Sequence, residues 1–117
     1  MAQSGTIATT RAGAALPPSI RRGKQATRWL YEQGVRVMGI DAWGWDAPLH
    51  LQAEEVKESG KPGVFWAAHQ VDLAYSQIER LCNLSELPDA GFRVSCFPLR
   101  IAGASAAPAR VVALLDD

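Results

Sequence analysis

Residues 24–41 read as a helix, a glycine and a strand in unbroken succession, and that order leaves few architectures open. Ala26, Trp29, Leu30 and Gln33 fall at i, i+3, i+4 and i+7, so Lys24 to Gln33 carries an apolar stripe along one helical face. Gly34 follows where a helix commonly ends in a left-handed residue. The run VRVMGID then brings Val35, Val37 and Ile40 into a short β-branched strand that ends at Asp41. Helix, glycine and strand in that order form the close of an α/β unit. Trp43, Trp45 and Asp46 come directly after it, in a loop at a strand end, where α/β proteins tend to place functional groups.

The rest of the chain continues the alternation. Leu49 to Ser59 predicts a second helix with Glu54, Glu55, Lys57 and Glu58 on its wet side, broken by Gly60, Pro62 and Gly63. Tyr75 to Leu84 fits either a helix or a short strand and turn. Phe92, Val94 and Cys96 alternate with Arg93 and Ser95, the period of a half-buried strand that Pro98 limits to an edge or an end. Arg110 to Leu115 predicts a final strand. The expected fold class is α/β, a mixed α+β sheet of two or three strands against one or two helices. No internal repeat is present.

Charge divides the chain. Residues 1–30 hold Arg11, Arg21, Arg22, Lys24 and Arg28 and no acid, whereas residues 31–117 hold 7 basic and 12 acidic side chains. The formal net charge is zero, which argues against a general nucleic-acid binder. Residues 1–23 have small side chains, a Pro-Pro pair and no apolar period, so they read as a flexible arm; residues 24–117 read as the folded portion. An acid-free start containing Arg and Ser has the composition of a transit peptide, but it lacks an amphipathic face. No apolar run reaches the roughly 20 residues of a membrane span, and no export h-region stands near the start, so the expected location is cytoplasmic. A folded portion this short makes a thin core, and four tryptophans need cover. Association with itself or with another polypeptide is therefore expected.

Few side chains are available for chemistry. Cys82 and Cys96 do not form a disulfide framework, and with His50 and His69 they lack the short spacings of a structural zinc site. Cys96 reads as a buried thiol and His50 as a surface residue. Gly23-Lys24 lacks the remaining positions of a phosphate loop. The most informative set is His69, Asp72 and Glu79. Between Trp66 and Tyr75, His69 is expected to be partly desolvated, which favours the neutral imidazole that binds a metal or serves as a base, although from composition alone His69 and Glu79 read as structural.

The string GVRVMGIDAWGWDAPL and the string running from FWAAHQVDLAYSQIERLCNL through GFRVSCFPLRIAGASAAPARVVALL resemble the C-terminal half of the cyclase family, which includes bacterial kynurenine formamidases and isatin hydrolases. The features that carry the resemblance are Gly39-Ile40-Asp41, His69, Glu79, Asn83-Leu84, Gly91-Phe92, Pro98-Leu99 and Pro108-Ala109-Arg110, spread over residues 24–115. The resemblance implies part of a swivelling β/β/α domain, usually in homo-oligomers. It implies a hydrolase of amide or cyclic amide bonds, arylformamidase-like, acting on a small aromatic amide. It also implies a divalent metal, zinc or manganese, which makes a water more acidic. His69 and Glu79 match the two later metal positions. Asp41 and Asp46 match positions that shape the loop around the site, and Trp43 and Trp45 lie in the same loop.

The family's His-x-Gly-Thr-His-x-Asp-x-Pro-x-His segment is missing, since no histidine precedes His50. The chain is therefore expected to be a C-terminal piece of such an enzyme, weakly active or inactive alone, with no assignable catalytic residue beyond the metal positions. The alternative is a non-catalytic remnant that docks to intact family members.

Overall fold

The computed structural model describes residues 6–10 as backbone and residues 23–115 in full. The transit-peptide-like composition and most of the expected arm lie outside the described residues. Within that arm, however, Thr6–Thr10 forms a strand, β1. Helix α1 spans Gly23–Glu32 and strand β2 spans Val35–Ile40. Helix α2 spans Leu49–Ser59, and a single 3-10 turn follows at Pro62–Val64. Strand β3 is Ser76–Ile78. Strands β4, Phe92–Pro98, and β5, Ala109–Leu115, complete the order. Helices and strands are thus mixed in small sheets, the expected class.

Two compact units divide between Cys82 and Asn83. In the first, β1, β2 and β3 make a parallel sheet in that order, with Thr10 opposite Ile40 and Gly39 opposite Ile78. Parallel neighbours need a crossover, and α1 and α2 supply the two. β2 is the central strand and so is paired on both edges. This explains β1: the TIATT segment, rich in β-branched residues, fills an edge that would otherwise leave β2 backbone groups unpaired.

The core of this unit is small. Leu30, Val35, Met38, Trp45 and Ala68 are buried together, and Trp29, Tyr31, Ile40 and Tyr75 pack partly against them. Of the expected α1 stripe, Ala26 and Leu30 are buried and Trp29 partly so, whereas Gln33 is exposed and Thr27, outside the stripe, is buried. α2 is different: Leu49 and Leu51 are exposed, and its only buried residue is Gln52. It ends at Gly60, whose φ of 66° is the left-handed cap and whose N–H donates to the Val56 carbonyl.

The second unit is an antiparallel pair, β4 on β5, in register from Phe92 opposite Leu115 to Pro98 opposite Ala109. Phe92, Val94 and Cys96 share one face with Val111, Ala113 and Leu115 across the ladder. On and beside the hairpin, Phe97, Leu99, Val112 and Leu114 are exposed. Among the described residues, no helix is long and apolar enough to cross a membrane.

Candidate functional site

Parallel strands present their C-terminal ends on one side of the sheet, and α/β sites form there. The loop after β2 holds residues 41–48, and the segment after β3 begins at Glu79. Two backbone bonds tie them: Arg80 N–H donates to the Ala42 carbonyl and Leu81 N–H to the Ile40 carbonyl, each at 3.0 Å. The chain between the 3-10 turn and β3 brings in His69.

Asp46, His69 and Glu79 meet at this end. Oδ2 of Asp46 lies 2.6 Å from Nδ1 of His69, and Oδ1 of Asp46 accepts the Ala68 N–H at 2.6 Å. Facing an ionised carboxylate, which only accepts, Nδ1 is the donor of this bond. The other ring nitrogen, Nε2, faces Glu79, with Nε2 to Oε1 at 3.4 Å. Oε1 of Glu79 also accepts the Trp45 N–H at 3.1 Å. The Asp46 carboxylate is nearly buried, 6% exposed, whereas His69 and Glu79 are open at 39% and 32%. A shielded carboxylate therefore holds one side of the ring, and the other side faces a carboxylate open to solvent.

Neighbours fix this arrangement. A Cβ on Gly23, at the start of α1, would stand 3.2 Å from Asp46 Oδ1, 3.1 Å from Ala68 Cβ and 3.1 Å from the Trp45 carbonyl. Glycine thus suits the close approach of the positive end of α1 to the carboxylate, since any Cβ here would crowd its neighbours. Thr27, fully buried one turn on, accepts the Trp45 Nε1–H at 2.9 Å and donates to the Gly23 carbonyl at 2.7 Å. Gln52 reaches from α2 to accept the Trp66 N–H at 2.9 Å and to donate to the Ala47 carbonyl. Trp66 itself has a left-handed φ of 55° and sits edge-on to His69, ring centroids 5.3 Å apart. Tyr75 donates to the Ala68 carbonyl at 2.5 Å and accepts from Gln77. Burial pushes its phenol pKa up.

The sequence-derived candidates separate clearly. His69 and Glu79 come together, and Asp46 joins them as the partner of the ring. Asp72 is exposed and does not enter the group, although it stands only three residues from His69. Asp41 is exposed at the start of the loop. Trp45 is buried, and Trp43, two residues away, is 74% exposed with the Arg80 guanidinium 3.4 Å above its ring. His50 is exposed. Cys82 and Cys96 are free thiols, and burial pushes the Cys96 pKa up. Thr27, Gln52 and Gly23 escape sequence reasoning, because each acts on a partner at least 14 residues away.

Zinc and manganese accept an imidazole nitrogen and a carboxylate oxygen, and a metal-binding histidine commonly gives its other N–H to a carboxylate. In kind, the donors at Nε2 of His69 and Oε1 of Glu79 fit such an ion, with Asp46 behind the ring. In number they are two. Among the described residues, no three His, Cys, Asp or Glu side chains form a metal-holding group. Comparison with known proteins returned nothing: no family model, no curated protein and no solved structure matched the chain.

Proposed function

We propose that this chain contributes half of a metal-dependent site that hydrolyses amide or cyclic amide bonds in small aromatic substrates. The observation that supports this reading most is the line of Asp46, His69 and Glu79 at the C-terminal ends of β2 and β3. A bound zinc or manganese ion would supply polarisation of the amide carbonyl and a more acidic water. His69 offers Nε2 to it in a tautomer that Asp46 fixes. Glu79 offers Oε1, held in place by the Trp45 N–H. Trp66 covers one side of the imidazole. A catalytic zinc site ordinarily has three protein ligands, so the remaining donors come from another polypeptide or from a longer form of this one. The proposed setting is the cytoplasm, in keeping with two unpaired cysteines.

The test is formanilide hydrolysis by the purified chain with zinc or manganese, with and without a chelator. The expected result is slow, metal-dependent turnover that the His69→Ala change abolishes. Turnover that neither chelator nor His69→Ala reduces would contradict the reading.

One observation favours a second reading, an interaction module that docks to intact enzymes or to a further copy of the chain. Phe97, Leu99, Val112, Leu114 and Leu115 are exposed in the hairpin unit. Two-stranded sheets are marginal in water without cover. Sedimentation at micromolar concentration tests it, and a strictly monomeric chain that captures no homologue would contradict it.

A further inference from the structure

Arg80 is the residue at the site whose placement the metal reading does not use. It adopts a left-handed φ of 57°, unfavourable for a side chain with a Cβ, directly after Glu79. Its N–H bond to the Ala42 carbonyl holds that backbone against the β2 loop. Its guanidinium carbon stands over the Trp43 indole, 3.4 Å from the ring centroid. Such stacking satisfies the face of the cation and leaves its edge N–H groups free. Among the described residues, the histidine–carboxylate contacts at this end join His69 to Asp46 and to Glu79, and Arg80 takes part in neither. Trp43 is 74% exposed, so the stacked pair stands in solvent beside the half-open Glu79 rather than in the core.

A planar fork seated over an aromatic ring with its donor edge free is the kind of group that grips a carboxylate with two parallel bonds. Resting on the amidase reading, we infer that Arg80 is the specificity residue for a carboxylate on the substrate, and that Trp43 is the residue that positions it. The substrates are then anionic aryl amides, with the amide toward His69 and Glu79 and the carboxylate on Arg80. Consecutive side chains thus go to two neighbours, Glu79 to His69 and Arg80 to Trp43.

The test is titration of the metal-free, isotope-labelled full chain with benzoate, followed at the Arg80 Nε–H signal, with benzamide as the neutral control. Benzoate is expected to shift that signal in a saturable way and benzamide to leave it in place. Arg80→Gln is expected to weaken benzoate binding about tenfold or more, and Arg80→Lys to restore only part of it, because an ammonium has no fork. Trp43→Ala is expected to weaken binding several-fold and Trp43→Phe, which keeps an aromatic face, to rescue most of it. Equal binding by wild type and Arg80→Gln, an equal response to benzamide, or no benzoate binding would overturn the inference. Zinc titration of the same samples separates the two ideas. Zinc bound without benzoate recognition refutes the role of Arg80 alone, and benzoate recognition without zinc refutes the metal reading on which it rests. Circular dichroism of each variant establishes that it is folded.

Discussion

Residues up to Cys82 and residues after it solve the problem of a short chain in opposite ways. The first unit is built from parallel strands that meet only through crossovers, so its sheet joins residues distant in the sequence. It gains a buried cluster around Met38 and, at the strand ends, a set of polar groups held from several directions. The second unit is a hairpin whose partners face each other across one connection, and it leaves Phe97, Leu99 and Leu115 in solvent. Long-range construction places chemistry. Local construction places strands and leaves apolar surface uncovered.

The contrast can be broken by substitution. Met38 is fully buried on the central strand, and Met38→Ala should destabilise the first unit by about 2–5 kcal/mol in urea unfolding. A cost below 1 kcal/mol would mean that the cluster is not packed as described. Asp46→Ala strips the acceptor from both the Ala68 N–H and the His69 ring, and should cost about 1–3 kcal/mol by the same measurement. No change would show that the carboxylate does not brace the site.

A smaller effect belongs to Tyr75. Burial raises its pKa, so the fold favours the protonated phenol. That contribution is complete below the ordinary tyrosine value of about 10 and is lost as the pH rises from there through the higher folded value. Alkaline unfolding above that pH should therefore be shallower in Tyr75→Phe than in wild type, and identical curves would contradict it. Least affected should be the hairpin. Phe97→Ser removes a 69% exposed ring and should change stability by no more than about 0.5 kcal/mol. A large loss would mean that Phe97 is covered in solution, and would favour the interaction reading.

How far these features are legible in the sequence follows the same division. The period of Ala26, Trp29 and Leu30 predicts α1 within one residue at each end, and alternation from Phe92 to Cys96 predicts β4. Gly60 marks the end of α2 because its left-handed geometry is a local property. Strand β1 is not legible, since TIATT becomes a strand only when β2 offers an edge. The Tyr75–Leu84 ambiguity has the same source: only Ser76–Ile78 pairs with β2, too short a run to announce itself.

At the site, His69 and Glu79 stand out by residue type. Asp46 rather than Asp72 becomes the partner of His69 because the loop after β2 packs against the segment before β3, a fact about tertiary packing and not about spacing along the chain. Trp43 and Trp45 differ for a comparable reason. The Trp45 indole N–H finds Thr27 in the core, whereas Trp43 has Arg80 and solvent.

The central claim is that His69 and Glu79 present two donors to one divalent ion, with Asp46 holding the ring. Calorimetric titration of the full chain with zinc, beside the His69→Ala/Glu79→Ala double variant, tests it most directly. The account predicts one ion per chain, bound weakly because only two donors are present, and no binding in the double variant. Zinc binding that survives the double substitution, or no binding by the wild-type chain, would contradict it.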